Sequence, residues 1–190
     1  MLASAGSSSD NGATATFAQR RSALPTTTQP TVDRPGIPRE YGVATGTEGM
    51  LSWETVEAQL AAAKLFWVAT STADGRARVR PVDGTWFEGT IYVGGSPETA
   101  WVRDLLANPN VAVHLDSTDG IVIVDGVAES GGGGIAGDAA ERLADLLGER
   151  FPYGRPKAED LAVQGSIAIR PRTIVAWRDF AKDPTRFRFG

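Results

Sequence analysis

The chain has 190 residues, a formal charge of −4, and 42% hydrophobic and 22% charged residues, proportions that predict one globular domain or at most two. Because it has no cysteine, disulfides, cysteine-ligated metals and thiol nucleophiles are excluded, and a single histidine, His114, gives no reason to expect a metal site. The acidic balance gives no general attraction to nucleic acid or anionic membranes, and no apolar run is long enough to span a bilayer. We therefore expect a cytoplasmic protein, and the preference for arginine (16) over lysine (3) is typical of a GC-rich bacterial genome.

Three regions of the chain differ in composition. Residues 1–33 are mostly small and polar, so they cannot bury enough apolar surface to offset the entropy of ordering, and we predict a disordered N-terminal tail. Residues 34–50 contain Pro35, Pro38 and four glycines, which predicts an extended arm. Residues 51–190 are predicted to form the folded domain.

The first predicted element of that domain is a helix over residues 51–63, with Ser52 as its N-cap. Further helices are predicted over residues 97–107 and 138–150, the last with Asp138 and Glu141 at the spacing of a capping box. Asp74-Gly75 and Asp83-Gly84 are typical hairpin turns. The predicted strands cover residues 65–71, 77–83, 85–88, 90–94, 111–116, 121–129, 166–170, 173–178 and 185–189.

Turns this short join antiparallel neighbours. The pattern therefore predicts a mainly β protein of the α+β class, built as a six- to eight-stranded antiparallel barrel with short peripheral helices.

The predicted strand after Asp74-Gly75 carries three arginines at alternate positions, Arg76, Arg78 and Arg80. Since side chains alternate along a strand, all three guanidinium groups are expected on one face. They could bind a phosphate or carboxylate, or they could form a solvated face paired with neighbouring carboxylates. Pro81 cannot donate a ladder hydrogen bond, so the strand is expected to be an edge or to bulge there.

Four other motifs each allow two interpretations. Ser96 and Pro97 begin a helix after Gly94-Gly95, either as an ordinary cap or as an anion site. Gly132, Gly134 and Gly137 match a dinucleotide fingerprint, but Asp138 and the surrounding hairpins favour a flexible loop. His114 could ligate haem or act as an acid–base group, although a partly exposed strand histidine is more common. Trp101 could stack on a ligand or pack in the core. In addition, the closing segment alternates the cations Arg186 and Arg188 with Phe187 and Phe189.

The order of these motifs resembles the pyridoxamine-phosphate-oxidase-like split-barrel flavoproteins, including their deazaflavin-dependent branch. The resemblance rests on Tyr41-Gly42, Leu51-Ser52-Trp53, Phe66-Trp67-Val68-Ala69-Thr70, Asp74-Gly75, Arg80-Pro81-Val82, Trp101 to Leu105, Asn108 to Val111, Val113-His114-Leu115 and Thr185 to Phe189. It covers about three quarters of the chain and implies an antiparallel split β-barrel.

The resemblance also implies a homodimer with FMN or a deazaflavin bound in clefts between the subunits, acting on a small-molecule substrate. The cofactor-binding residues it implies are Arg78, Val79, Arg80, Pro81, Val82, Gly95, Ser96, Trp101, Arg103 and Arg186. Gly94-Gly95 stands where the family usually has hydroxyl residues, Ala100-Trp101 stands where it has a basic pair, and Arg78 often has histidine as its counterpart. Arg78, Arg80 and Arg103 are the residues expected to supply the missing positive charge, and Arg103 is the weakest candidate of the three.

The leading hypothesis is therefore a flavin- or deazaflavin-dependent oxidoreductase, in which the cofactor performs the hydride chemistry. No catalytic residue stands out in the sequence. Two alternatives stay open, a cofactor-free isomerase or cyclase that uses the cleft for an apolar substrate, and a module that binds haem or another ligand.

Overall fold

The structure, a computed structural model, describes residues 29–190. Three helices are present in this range, α1 (Trp53–Ala62), α2 (Ala100–Ala107) and α3 (Gly137–Arg150). The strands are β1 (Thr31–Asp33), β2 (Leu65–Ser71), β3 (Ala77–Phe87), β4 (Thr90–Gly94), β5 (Asn110–Leu115), β6 (Ile121–Ser130), β7 (Ser166–Trp177) and β8 (Thr185–Arg188). None of the helices in this range is both long and apolar enough to cross a membrane.

Six of the strands close into an antiparallel barrel. Their order is β7-β4-β3-β2-β5-β6, and pairing of β6 with β7 closes the ring. The strands β8 and β1 extend the sheet from β7. The predicted mainly β antiparallel barrel with short helices is therefore confirmed, with six strands in the barrel and two more that extend its sheet.

The barrel core is built from the alternate residues of each strand that point inward. Phe66 and Val68 of β2 are fully buried against inward residues of β5, β6 and β7. Helix α1 covers one end, with Val56 and Leu60 inside, and its predicted N-cap is confirmed, since Ser52 Oγ accepts the Thr55 N–H at 3.3 Å. Each buried aliphatic side chain contributes about 1.5–3 kcal/mol relative to exposure.

The hairpin predicted at Asp83-Gly84 is wrong, because β3 runs without interruption from Ala77 to Phe87. A Cβ on Gly84 would lie 2.7 Å from the Tyr92 carbonyl oxygen and 3.0 Å from the Phe66 ring. Glycine is therefore required there for close backbone approach, not for a turn. The chain turns five residues later, where Glu88 and Gly89 both have positive φ.

Three other boundaries differ from the prediction. Residues 31–33, assigned to the disordered tail, form β1 because they pair with β8, whereas residues 1–28 lie outside the described range. The strands predicted over residues 166–170 and 173–178 are one strand, β7, which passes a bulge in its pairing with β6 between Asp125 and Gly126. Asp138 does not cap α3, which begins after Ala136, and its carboxylate instead accepts from Arg142 Nε at 2.9 Å.

The glycine-rich segment before α3 forms a tight turn of 3₁₀ type. Gly131 to Gly134 all have positive φ, and a Cβ on Gly132 would lie 2.2 Å from the Leu161 carbonyl oxygen. The turn therefore packs against the short 3₁₀ segment Ala158–Ala162, which leaves no room for a dinucleotide there.

Candidate functional site

The first half of β3 is an open sheet edge. Residues 77–83 pair with β2, but only residues 84–87 pair with β4, because β4 is short and ends at Gly94. Within the described residues, one side of the Ala77–Asp83 backbone therefore has no partner strand. Pro81 lies in this stretch, which confirms that it marks an edge.

The two faces of this edge differ in chemistry. Arg80 pairs across the sheet with Val68, and Arg78 with the buried Thr70, so both arginines share one face. The opposite, outer face carries Val79 and Pro81. Trp67, the cross-strand partner of Pro81, is 38% exposed, and Val79 is 49% exposed. Arg76 precedes the strand and pairs with Asp74 in the turn, so it is not part of the cationic face.

Three of the four arginines predicted to hold a cofactor are engaged within the chain. Arg78 Nε lies 3.3 Å from Asp104 Oδ2 of α2. Arg103 Nη1 donates to the Glu98 carbonyl oxygen. Arg186 donates two hydrogen bonds to Asp33, at 2.8 and 2.9 Å, and these bonds lower the pKa of Asp33 and raise that of Arg186.

Arg80 differs from the other three. Its Nη1 donates to the neighbouring Val79 carbonyl oxygen at 2.8 Å. It makes no ion pair with any residue in the range 29–190. The cationic face therefore presents one uncompensated guanidinium group beside the open edge, available to an anionic ligand.

The turn before α2 does not hold a built anion site. The helix begins at Ala100, with Thr99 and not Ser96 as the N-cap residue. Ser96 Oγ accepts the Glu98 N–H at 3.3 Å, and Thr99 Oγ1 donates to the Ser96 carbonyl oxygen at 2.7 Å. The hydroxyl groups of this turn are thus used to order the turn itself.

The indole of Trp101 fills the space beside Gly95. Trp101 is 8% exposed, and a Cβ on Gly95 would lie 2.2 Å from its Cζ2 atom. A threonine or serine side chain therefore has no room at position 95 while the indole is in place. Trp101 is a packing residue, and the two departures from the family pattern are a single complementary pair.

The family model for pyridoxamine 5'-phosphate oxidase matches residues 52–178, which is more than half of the chain. The chain belongs to this family. A search of curated proteins gave no match.

Solved structures show the same fold at low sequence identity. A candidate pyridoxamine 5'-phosphate oxidase from Listeria innocua is 17% identical, with a TM-score of 0.50, over 66% of this chain and 98% of that one. The conserved hypothetical protein Rv2991 from Mycobacterium tuberculosis is 17% identical, with a TM-score of 0.53, over 71% and 89%. HupZ from group A Streptococcus is 14% identical, with a TM-score of 0.50, over 69% and 98%.

In this member of the pyridoxamine 5'-phosphate oxidase family, the open edge of β3 fits the ring of a flavin-type cofactor, whereas the residues implied to bind its phosphate do not fit. The open edge of β3 leaves the backbone groups of Val79 and Asp83 and the Pro81 carbonyl without a partner strand, apart from the Val79 carbonyl that accepts from Arg80, and such groups suit the hydrogen-bonding rim of a flavin ring. The phosphate contacts implied at Gly95, Trp101 and Arg103 do not fit. The indole occupies that space, and the Arg103 guanidinium donates to a backbone carbonyl.

A cavity of about 760 Å³ lies next to the open edge, and none of the predicted motifs indicates it. It is bordered by Asp83 and Gly84 of β3, by residues 92–97, and by residues of the segment 147–166 that joins α3 to β7. The signal in the sequence was the aromatic pair Phe151 and Tyr153 in the connection between α3 and β7, since binding residues are often carried by such connections. His114 lies elsewhere, half-buried on the outer face opposite Trp67.

Proposed function

We propose that the chain is a flavin- or deazaflavin-dependent oxidoreductase that acts on a small organic molecule. The observation that carries the proposal is the open edge of β3 with the uncompensated Arg80 guanidinium beside it. Membership of the pyridoxamine 5'-phosphate oxidase family supports the same assignment.

In this proposal the cofactor supplies hydride transfer, and the protein binds and orients it. The backbone groups of Val79, Pro81 and Asp83 that face the open edge hydrogen-bond the rim of the ring. Arg80 binds the anionic group, in place of the basic pair that the family usually has before Val102. A single charge-assisted contact of this kind contributes about 1.5–3 kcal/mol.

We further propose that the functional unit is a homodimer formed through the outer face of β2 and β3. Trp67, Val79 and Pro81 are exposed there, and they adjoin the half-buried Ala69 and Ala112 on the same face. Contiguous apolar side chains at the surface mark interaction sites, and two-fold pairing of identical surfaces is the commonest closed arrangement. A partner subunit over this face would also close the open edge from one side.

The test is a set of titrations that distinguishes binding of the flavin ring from binding of its phosphate. The visible spectrum of the purified protein and titration with FMN, deazaflavin and riboflavin should show a bound cofactor. In the variant Arg80→Ala the affinity for FMN should fall about 10- to 100-fold, because one charge-assisted contact is lost, while the affinity for riboflavin, which lacks the phosphate, should stay unchanged.

The matched control is Arg76→Ala, which removes an exposed arginine that pairs with Asp74 in the preceding turn. Its affinities should equal those of the wild type. Wild-type protein that binds none of the three compounds at millimolar concentration contradicts the proposal, and an equal loss of FMN and riboflavin affinity in Arg80→Ala contradicts the role of Arg80.

A second function is favoured by the packing of Trp101 on Gly95, which replaces a polar subsite by an apolar one. In this alternative the cleft serves a cofactor-free isomerase or cyclase with an apolar substrate. Turnover by protein that is free of any chromophore, and that is unaffected by added flavins, would favour it.

A further inference from the structure

The cavity beside β4 adjoins the open edge of β3 at Asp83 and is also lined by Gly95 and Ser96, but its walls have a chemistry of their own. Helix α3 and the segment after it lie over the outer face of β4, where Leu143, Ala144 and Leu161 form a small second core with Tyr92. The cavity of about 760 Å³ opens at the end of this core. Its size lies within the range of about 300–1,000 Å³ that is typical of small-molecule sites.

The walls of the cavity are apolar and aromatic. The ring of Phe151 is buried and stacks on that of Tyr153, with a centroid distance of 5.1 Å and an interplanar angle of 8°. Tyr153 is 66% exposed, so the outer side of its ring is open to a ligand. Aromatic ring faces carry partial negative charge and attract organic cations.

The charged groups at the cavity are predominantly acidic. The carboxylates of Asp83 and Asp160 border it, and neither forms an ion pair with another residue in the range 29–190. Arg155 is the basic residue that lines it. Its guanidinium group is held by two carboxylates of α3, Asp145 at 2.6 Å from Nε, and Glu141 at Nη2.

The electrostatic environment thus disfavours anions and favours cations. Partial burial raises the pKa of Tyr153, and so do the charge of the Asp83 carboxylate and a hydrogen bond to it, which places this carboxylate beside the Tyr153 ring. The acidic border would repel a phosphate or carboxylate ligand, whereas an ammonium group gains from both carboxylates and from the aromatic faces.

We propose that this cavity binds a lipophilic organic cation, an amine or quaternary ammonium compound whose apolar part lies on Phe151 and Leu161 and whose charge faces Asp83 and Asp160. The proposal does not rest on the proposed oxidoreductase function, because the cavity and its charged groups are formed by residues of this chain without any cofactor. In this proposal the segment between α3 and β7 selects the ligand.

The test measures binding of three probes of similar size to the full chain by calorimetry: benzyltrimethylammonium, benzyl alcohol and phenylacetate. The cation should bind at least about tenfold more tightly than the neutral alcohol, and phenylacetate should not bind measurably. Asp83→Asn and Asp160→Asn keep the shape of each side chain and remove its charge. Each should weaken binding of the cation about three- to tenfold and leave the alcohol unchanged.

Asp119→Asn is the matched control, an exposed carboxylate in the turn between β5 and β6, and it should bind the cation as the wild type does. Tyr153→Ala provides a second variant that changes an exposed ring instead of a charge, and it should weaken binding of the cation by about twofold to fivefold. The circular dichroism spectra of all variants should match that of the wild type.

Three results would overturn the proposal: a cation that binds no better than the alcohol, measurable binding of phenylacetate, or Asp83→Asn and Asp160→Asn both with wild-type affinity. Cation binding that is lost as the protein concentration rises would show that a second copy of the chain occupies the cavity, which also overturns it.

Discussion

Gly95 and Trp101 are complementary in size, and the pair decides what can lie beside the end of β4. The indole can pack against the backbone only because position 95 has no side chain. A hydroxyl residue at position 95 and a large ring at position 101 exclude each other. Changes at these two positions should therefore be coupled energetically.

We predict that Gly95→Thr destabilises the protein by about 1–3 kcal/mol, the usual effect of overpacking a filled site. Trp101→Lys should also destabilise it, because a buried ring is lost. The double variant should lose less unfolding free energy than the sum of the losses of the two single variants, by about 1–3 kcal/mol. Urea unfolding of the four proteins measures this coupling.

The control is Gly94→Thr, because a Cβ on Gly94 meets no atom within 4 Å. Its free energy of unfolding should lie within about 0.5 kcal/mol of the wild type. Additive effects at positions 95 and 101 would contradict the packing described for this pair.

At the scale of elements, β1 shows how a short segment is held by a few specific contacts. Its three residues pair with β8, and Asp33 accepts two hydrogen bonds from Arg186. Asp33 also forms an ion pair with Arg188, in which Oδ2 and Nη2 are 2.8 Å apart. These contacts lower the pKa of Asp33 below its usual value of 3.8. The carboxylate therefore stabilises the folded state only while it is ionised.

We predict that Asp33→Asn lowers the free energy of unfolding at pH 7 by less than about 1 kcal/mol, since the pair is partly exposed to solvent and screened. Because the pKa of Asp33 is lower in the folded state, the difference in unfolding free energy between the wild type and Asp33→Asn is complete above the usual aspartate pKa of 3.8. The difference disappears as the pH falls through the folded-state pKa, which lies below 3.8. Unfolding curves at pH 7 and at pH 2.5 check this.

Asp119→Asn serves as the control for this experiment as well, because Asp119 forms no ion pair with another described residue. An advantage of wild type over Asp33→Asn that stays constant between the two pH values would show that the charge of Asp33 is not what holds β1.

At the scale of the whole molecule, the outer face of β2 and β3 determines how the barrel associates. Trp67, Val79 and Pro81 are exposed on it, and a tryptophan that is 38% exposed is a large apolar area to leave in contact with water. The proposed homodimer would bury these side chains against their own copies.

We predict that the chain sediments with twice its mass of 20.1 kDa at micromolar concentration. Trp67→Glu should shift it to the monomer, because a buried unpaired carboxylate at the centre of the interface is strongly unfavourable. Val163→Glu, a similar change at an exposed apolar residue outside this face, should remain dimeric. A wild-type monomer under these conditions would contradict the dimer.

Features that depend on neighbouring residues in the chain could be predicted from the sequence, whereas features that depend on distant residues could not. Strand β2 begins and ends at the predicted residues, and Ser52 caps α1, because alternation and capping depend on neighbours in the chain. The edge at Pro81 was also predictable, since proline lacks the donor that an inner strand needs. These local signals, combined with the order of motifs, were enough for the barrel and the family.

The tertiary structure alone decided the chemistry of the site. Gly84 resembles a turn residue in sequence, but the neighbouring strand and the Phe66 ring make it a point of close approach. Arg78, Arg103 and Arg186 resemble free cations, and only their contacts with Asp104, the Glu98 carbonyl and Asp33 show that they are engaged. Which charges are compensated and which space is filled depends on residues up to 153 positions apart, and no local pattern records such contacts. For that reason only the tertiary structure distinguished Arg80 from the other predicted arginines and revealed the acidic aromatic cavity.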